Sequence, residues 1–203
     1  MKKYKPYESV FMESFIQDLK KSIQELYNIL SQNNINFTII GGAARNEYGV
    51  KKITEDVDIL VDAKDKEKMK KLPIGYIKEL SKGTTRVFSL HEPKTKVEVI
   101  YTGEISGDGI HGLVYVDPKK VSERHNGIPF LTLKNLVMYK LSAARHKDYA
   151  DVQELIKVNK LKRNYADKFR VDLKNKYIEL YDETKNERDI WKEDLLRNQL
   201  KNN

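Results

Sequence analysis

The chain contains no cysteine, which excludes disulfides and thiolate metal sites. Its four histidines, His91, His111, His125 and His146, are scattered without ligand spacing, so a zinc site is not expected. No run of about 20 apolar residues is present, and the basic start Met1-Lys2-Lys3-Tyr4-Lys5-Pro6 is not followed by the apolar stretch of a signal peptide. The expectation is a cytoplasmic protein with no membrane partner. Internal repeats and low-complexity segments are missing. So are the glycine patterns of a P-loop and of a dinucleotide fold, and the signatures of RRM, KH and zinc-finger modules.

What remains is a chain of 203 residues with 39% hydrophobic content, enough to bury a core in one domain or in a main domain with a small helical cap. Basic residues number 38 and acidic residues 30, a net charge of +8 that favours a polyanionic partner or simply keeps the protein soluble. The charge is clustered in two places. Lys64, Lys66, Lys68, Lys70 and Lys71 form one group, and Lys119, Lys120 and Arg124 follow Asp117-Pro118. Either group could guide RNA or lie on a solvated face.

The acidic residues carry the sharper signal. Asp56-Val57-Asp58-Ile59-Leu60-Val61 alternates at strand period, so Asp56 and Asp58 share one face, roughly 6 to 7 Å apart, while Val57, Ile59 and Val61 point into a core. That spacing suits hard-oxygen ligation of Mg²⁺ or Mn²⁺, with water and phosphate filling the remaining positions. Upstream, Phe37-Thr38-Ile39-Ile40 reads as a short strand running into Gly41-Gly42-Ala43-Ala44-Arg45, a strand, turn and helix whose glycine pair lets backbone approach a phosphate. Lys96-Val97-Glu98-Val99-Ile100-Tyr101 is a second strand with Glu98 on the face opposite Val97, Val99 and Tyr101. Three carboxylates on neighbouring strands fit metal-assisted phosphoryl chemistry. The third can also take a nucleophile's proton. The plainer alternative for Glu98 is a surface partner of a lysine.

Further along, Leu133, Leu136, Val137, Leu141 and Ala144 recur at helical spacing and place Lys140 near an apolar face, where its ammonium needs an anion. The next helix has a stripe of Val152, Leu155 and Ile156, with Asp148 and Asp151 expected in its first turn. These carboxylates either cap the helix beside Arg145 or Lys147, or orient Lys140 or a ribose hydroxyl.

Periodicity also orders the rest. Phe11, Phe15, Leu19, Ile23, Leu26 and Leu30 define a long first helix ending near Asn33-Asn34, expected to cover a sheet face. A short charged helix is expected from Lys64 to Leu72, broken by Pro73 and Gly75. Arg86 to Leu90 pairs with the Glu98 strand across His91-Glu92-Pro93-Lys94. Gly103 to Gly112 is a loop, Leu113 to Val116 a short strand, and from Leu131 only helices are expected. From Tyr165 the chain is charged, with sparse apolar residues, as one or two helices able to bind a partner.

The order Ile40-Gly41-Gly42, thirteen residues, Asp56-Val57-Asp58-Ile59, then Val97-Glu98-Val99 resembles the signature of the nucleotidyltransferase superfamily of polymerase-β type. The block from Leu131 to Val152 is similar to the helical segment of its minimal and AbiEii-like members. The resemblance covers roughly residues 35 to 157. It implies an α/β (α+β) fold with a mixed β-sheet, flanking helices and a helical C-terminal part. Residues 1–125 would form the catalytic domain with its N-terminal helix, and 126–203 the helical region completing the nucleotide site. It implies Asp56, Asp58 and Glu98 as catalytic and metal residues, and Gly41, Gly42, Lys140, Arg145, Asp148 and Asp151 as nucleotide-binding residues. The activity implied is Mg²⁺- or Mn²⁺-dependent transfer of a nucleoside monophosphate from an NTP to a hydroxyl of tRNA or another RNA, a protein or a small molecule. A toxin-like role with an antitoxin or other protein partner is among the implications. A non-catalytic nucleotide- or RNA-binding module with the same fold is the alternative.

Overall fold

In the computed structural model the described backbone comprises residues 7–72, 78–79, 86–89, 95–107 and 112–201, with side chains described for 16–72, 95–107 and 112–186. The breaks expected at Pro73 and Gly75 and the turn His91-Glu92-Pro93-Lys94 lie outside the described residues. The chain divides into two compact units. The first comprises residues 1–47, 51–105 and 114–136, and the second 48–50, 106–113 and 137–203.

The first unit is built on a seven-stranded mixed sheet. Its strands are β1 (Phe37–Ile39), β2 (Asp56–Val61), β3 (Lys78–Glu79), β4 (Arg86–Ser89), β5 (Lys96–Tyr101), β6 (Ser122–His125) and β7 (Ile128–Leu131), in the order β3-β4-β5-β2-β1-β7-β6. Most neighbours are antiparallel, but β2 runs parallel to β5 and β1 parallel to β7. The central strands are the apolar ones. Val57, Ile59 and Val61 on β2 and Val97, Val99 and Tyr101 on β5 are buried, in the alternation the sequence predicts.

Helix α1 (Tyr7–Gln32) covers the face carrying these residues. Leu26 and Leu30 are fully buried, each stabilising the unit by about 1.5–3 kcal/mol, and the ring of Tyr27 meets that of Phe37, the register partner of Val61. Asp56 and Asp58 therefore stand on the opposite face from α1. The helix ends where Asn34 adopts φ +50°, a conformation asparagine tolerates better than most residues.

Three expectations are revised. The charged helix at Lys64 to Leu72 is a 3₁₀ turn (Ala63–Asp65), N-capped by Asp62, followed by only one turn of α-helix, α3 (Lys66–Met69). Leu113 to Val116 is no strand but a single bridge between Ile105 and Val114, with Val114 and Val116 exposed. A short helix, α4 (Pro118–Val121), and the hairpin β6–β7 stand before the helical part. Asn126 and Gly127 both have positive φ at the hairpin turn, as a two-residue type I′ connection requires.

From Leu131 onward the remaining elements are helical, as the sequence predicts: α5 (Leu133–Ala143), α6 (His146–Asn159), a 3₁₀ turn (Arg163–Ala166) and the single long helix α7 (Val171–Lys201). In the second unit α6 packs on α7, and its stripe of Val152, Leu155 and Ile156 is buried. Tyr177 lies at the centre, ringed by Tyr165, Phe169 and Tyr181, and its hydroxyl donates to the Lys162 carbonyl at 3.0 Å. Burial pushes its phenol pKa up, so it stays neutral. Among the described residues no helix is long and apolar enough to cross a membrane.

Candidate functional site

The parallel pairing of β2 and β5 sets Asp56 against Lys96 and Asp58 against Glu98. Side chains in register on neighbouring strands share a face, so the four charged groups converge on the side away from α1. One carboxylate oxygen from each of Asp56, Asp58 and Glu98 lies within 4.8 Å of the other two, and all three residues are half-buried. No other such group of three occurs among the described residues. Two oxygens opposite one another on an octahedral Mg²⁺ are about 4.2 Å apart, so small side-chain rotations bring the set onto one ion. Three hard oxygen donors and no nitrogen or sulfur fit Mg²⁺ or Mn²⁺.

Short connections deliver these residues. After β1 the chain turns at Gly41 into α2 (Gly41–Glu47), and the Ile40 amide donates to the Asp58 carbonyl at 2.9 Å. On α2, Asn46 grips the returning chain, its side-chain amide donating to the Lys52 carbonyl at 2.7 Å, while Arg45 reaches the same carbonyl at 3.2 Å. Thr54 then lies under Gly42, and its hydroxyl donates to Asp56 Oδ1 at 3.1 Å, fixing that carboxylate.

The glycine pair is explained by this packing. Gly41 has φ +63°, and a Cβ there would lie 1.8 Å from Asp58 Oδ2. A Cβ on Gly42 would lie 2.7 Å from the Thr54 hydroxyl. Gly41→Ala is expected to cost about 1–2 kcal/mol through its backbone and, beyond that, to push the Asp58 carboxylate out of the cluster. Gly127 has φ +84° with nothing near its Cβ position, so Gly127→Ala is the control for the backbone term. Thermal melts and Mn²⁺ titrations of both variants check this: only Gly41→Ala loses metal affinity.

Lys96 was not among the sequence-derived site residues, although strand alternation places it beside Glu98. Its ammonium bonds Glu98 Oε1 at 2.9 Å. Its pKa is raised, first by that hydrogen bond, against an opposing effect of burial, and then by the negative field of Glu98, Asp56 and Asp58. A cation thus sits beside the triad. Its loss removes a solvent-screened repulsion of about 0.7–1.4 kcal/mol, so Lys96→Met is expected to bind Mn²⁺ about three- to tenfold more tightly in calorimetry. Unchanged affinity would make the pair an ordinary surface ion pair. Thr54 was likewise missed as a site residue, and only its place two residues before Asp56 hints at it.

The remaining candidates lie in the second unit. α5 ends at Ala143, Ala144 takes φ +59°, and Arg145 is the extended residue before α6. Across this corner the buried Lys140 ammonium donates to Asp151 Oδ2 at 2.7 Å and to Asp148 Oδ1 at 3.2 Å. Arg145, largely exposed, donates to Asp148 Oδ2 at 2.6 Å. The anion that Lys140 needs is thus supplied from within the chain, and Asp148 serves both cations. Asp151 lies in the second turn of α6 rather than the first. Nearby, the Ser142 hydroxyl bonds that of Ser106 and accepts from the Leu113 amide, tying residues 106 and 113 to α5.

No protein family and no curated protein matches the chain. Solved structures do. An antigenic nucleotidyltransferase-like protein from Paracoccidioides brasiliensis superposes with TM-score 0.55 at 17% identity, over 82% of this chain and 88% of its own. The lincosamide antibiotic adenylyltransferase LnuA, solved with lincomycin bound, gives TM-score 0.51 at 17% identity, over 68% of this chain and 96% of its own. At these identities the likeness shows the fold: a mixed α/β sheet of nucleotidyltransferase type with flanking helices.

Proposed function

We propose that the protein is a metal-dependent nucleotidyltransferase that moves a nucleoside monophosphate from an NTP to a hydroxyl acceptor. The observation that carries this reading is the convergence of Asp56, Asp58 and Glu98 on one face, beside a glycine turn that only fits without side chains. The sequence motif and the fold of LnuA, an adenylyltransferase by name, support it.

In this reading Asp56 and Asp58 hold Mg²⁺ or Mn²⁺, which would neutralise triphosphate charge. Thr54 keeps the Asp56 carboxylate oriented. Glu98 completes the ligand set or accepts the proton of the attacking hydroxyl, and Lys96 balances its charge. Gly41 and Gly42 keep the turn low enough for phosphate to approach. Lys140, Arg145, Asp148 and Asp151 form the nucleotide-binding part of residues 126–203, with Lys140 held by the two aspartates and Arg145 the exposed cation. The AbiEii-like assignment and the toxin-like role with an antitoxin partner belong to the same proposal, as does action in the cytoplasm.

For the acceptor, the net charge of +8 favours tRNA or another RNA over a protein or a small molecule. Incubating the protein with Mg²⁺ and each of the four α-labelled NTPs in the presence of pooled tRNA, total protein, and aminoglycoside and lincosamide mixtures assigns the class by where the label appears. A second reading, a non-catalytic nucleotide-binding module, is favoured by the internal pairing of Lys96 with Glu98 and of Lys140 with its aspartates. Metal-dependent NTP binding with no labelled product in any pool would select it.

A further inference from the structure

Of the two basic groups in the sequence, the first has three of its five lysines paired with carboxylates. Lys64 is paired with Asp62 at 2.6 Å, Lys68 with Asp65 at 2.7 Å and Lys70 with Glu67 at 2.7 Å, while Lys66 lies over the Tyr101 ring. The other group is different. Among the described residues, neither the Lys119 nor the Lys120 ammonium meets a carboxylate, and both side chains are exposed. The exposed Arg124 donates only to the Gly127 carbonyl across its own turn.

Lys119 and Arg124 border a groove of about 630 Å³ that lies wholly within the first unit. Tyr27, Phe37 and Pro129 give it an apolar floor, with Tyr27 half-exposed and tilted at 54° to Phe37. Ser31 and Asn34 on the α1 side add polar side chains that make no hydrogen bond among the described residues. One carboxylate lines it, that of Glu123, 3.3 Å from His125 Nε2. The groove sits at the start of β1, on the face that α1 covers, about five residues or roughly 16 Å along the strand from Gly41. It is therefore separate from the carboxylate triad.

A cationic rim over an aromatic and apolar floor, with uncommitted hydroxyl and amide groups, is the chemistry that takes a single nucleic acid strand: phosphates on the rim, a base against the ring, sugar hydroxyls on the polar groups. A duplex would present no free base face to Tyr27. We propose that this groove is a binding site for single-stranded nucleic acid, with Lys119 and Arg124 on the phosphates and Tyr27 under a base. It binds without metal or NTP. Only its use in holding an RNA acceptor rests on the proposed transfer activity.

Fluorescence anisotropy with end-labelled oligouridylate and oligothymidylate of twelve nucleotides, in EDTA and without NTP, tests this independently of catalysis. The comparison is between the intact protein, Lys119→Glu/Arg124→Glu, Tyr27→Leu, and Lys160→Glu/Lys162→Glu, a charge-matched pair in the second unit. The expected result is at least tenfold weaker binding for the groove pair, with a salt slope lower by about 1.4, and at least fivefold weaker binding for Tyr27→Leu. The control pair changes affinity less than threefold. Absence of binding by the intact protein, or equal weakening by both charge-reversed pairs, would overturn the proposal. Thermal melts show that each variant is folded, and Asp56→Asn/Asp58→Asn, which leaves the groove intact, should bind as the parent does even if transfer is abolished.

Discussion

Replacing Asp56 and Asp58 together with Asn is expected to reduce nucleotidyl transfer by about 10³-fold or more, equivalent to about 4 kcal/mol of transition-state stabilisation. The same change should leave the melting temperature unchanged or slightly raised. Asn keeps the shape of each side chain, and its oxygen at position 56 can still accept from the Thr54 hydroxyl. What is lost is charge. Three carboxylates with oxygens within 4.8 Å repel one another, and Lys96 is paired with Glu98. Stability and activity should therefore move apart. A label-transfer assay and thermal melting of the variant check both halves. A variant that melts far below the parent would mean that the aspartates hold the fold together, and their place in the chemistry would lose its main support.

The largest expected effect on stability lies in the second unit. Lys140→Met removes the ammonium shared by Asp148 and Asp151, whose side chains are almost fully buried. Taking one partner from a buried ionic cluster costs about 3–5 kcal/mol, because carboxylates shielded from water lose their counter-charge. For a protein of this size that lowers the melting temperature by on the order of 10 °C. Converting both aspartates to Asn in the same background should restore much of the loss, since an uncharged cluster no longer needs the cation. Chemical denaturation of the single and triple variants reads this directly. A triple variant no more stable than Lys140→Met would show that the packing of the lysine stem, not its charge, fastens the corner between α5 and α6.

The sequence was legible where one face of an element is polar and the other is not. β2 and β5 alternate so regularly that the shared face of Asp56 and Asp58, and the opposite face of Val97, Val99 and Tyr101, follow from period two alone. That β5 lies directly beside β2, with Glu98 opposite Asp58, needs the three-dimensional pairing. The hairpin β6–β7 was missed although Asn126-Gly127 marks its turn, because Ser122–His125 is a polar edge strand without an apolar face to signal it. The reverse error arose at Leu113 to Val116. Its apolar side chains read as a strand, yet its backbone hydrogen bonds to residues 103–106 close only one bridge and two valines stay exposed. Lys140 reads as needing an anion, with Asp148 or Asp151 as a group that orients it, and the fold adds that both aspartates bond it at once. Thr54 and Lys96 act through neighbours rather than through any motif, so sequence alone had little to single them out.

One measurement addresses the central claim most directly: incubation with NTP carrying label at either the α or the γ phosphate, with Mg²⁺ and the pooled acceptors, beside Asp56→Asn/Asp58→Asn. Nucleotidyl transfer places the α label on the acceptor while the γ label leaves with pyrophosphate, and only the intact protein should show this. Transfer of the γ label, or equal transfer of the α label by the variant, would contradict the account.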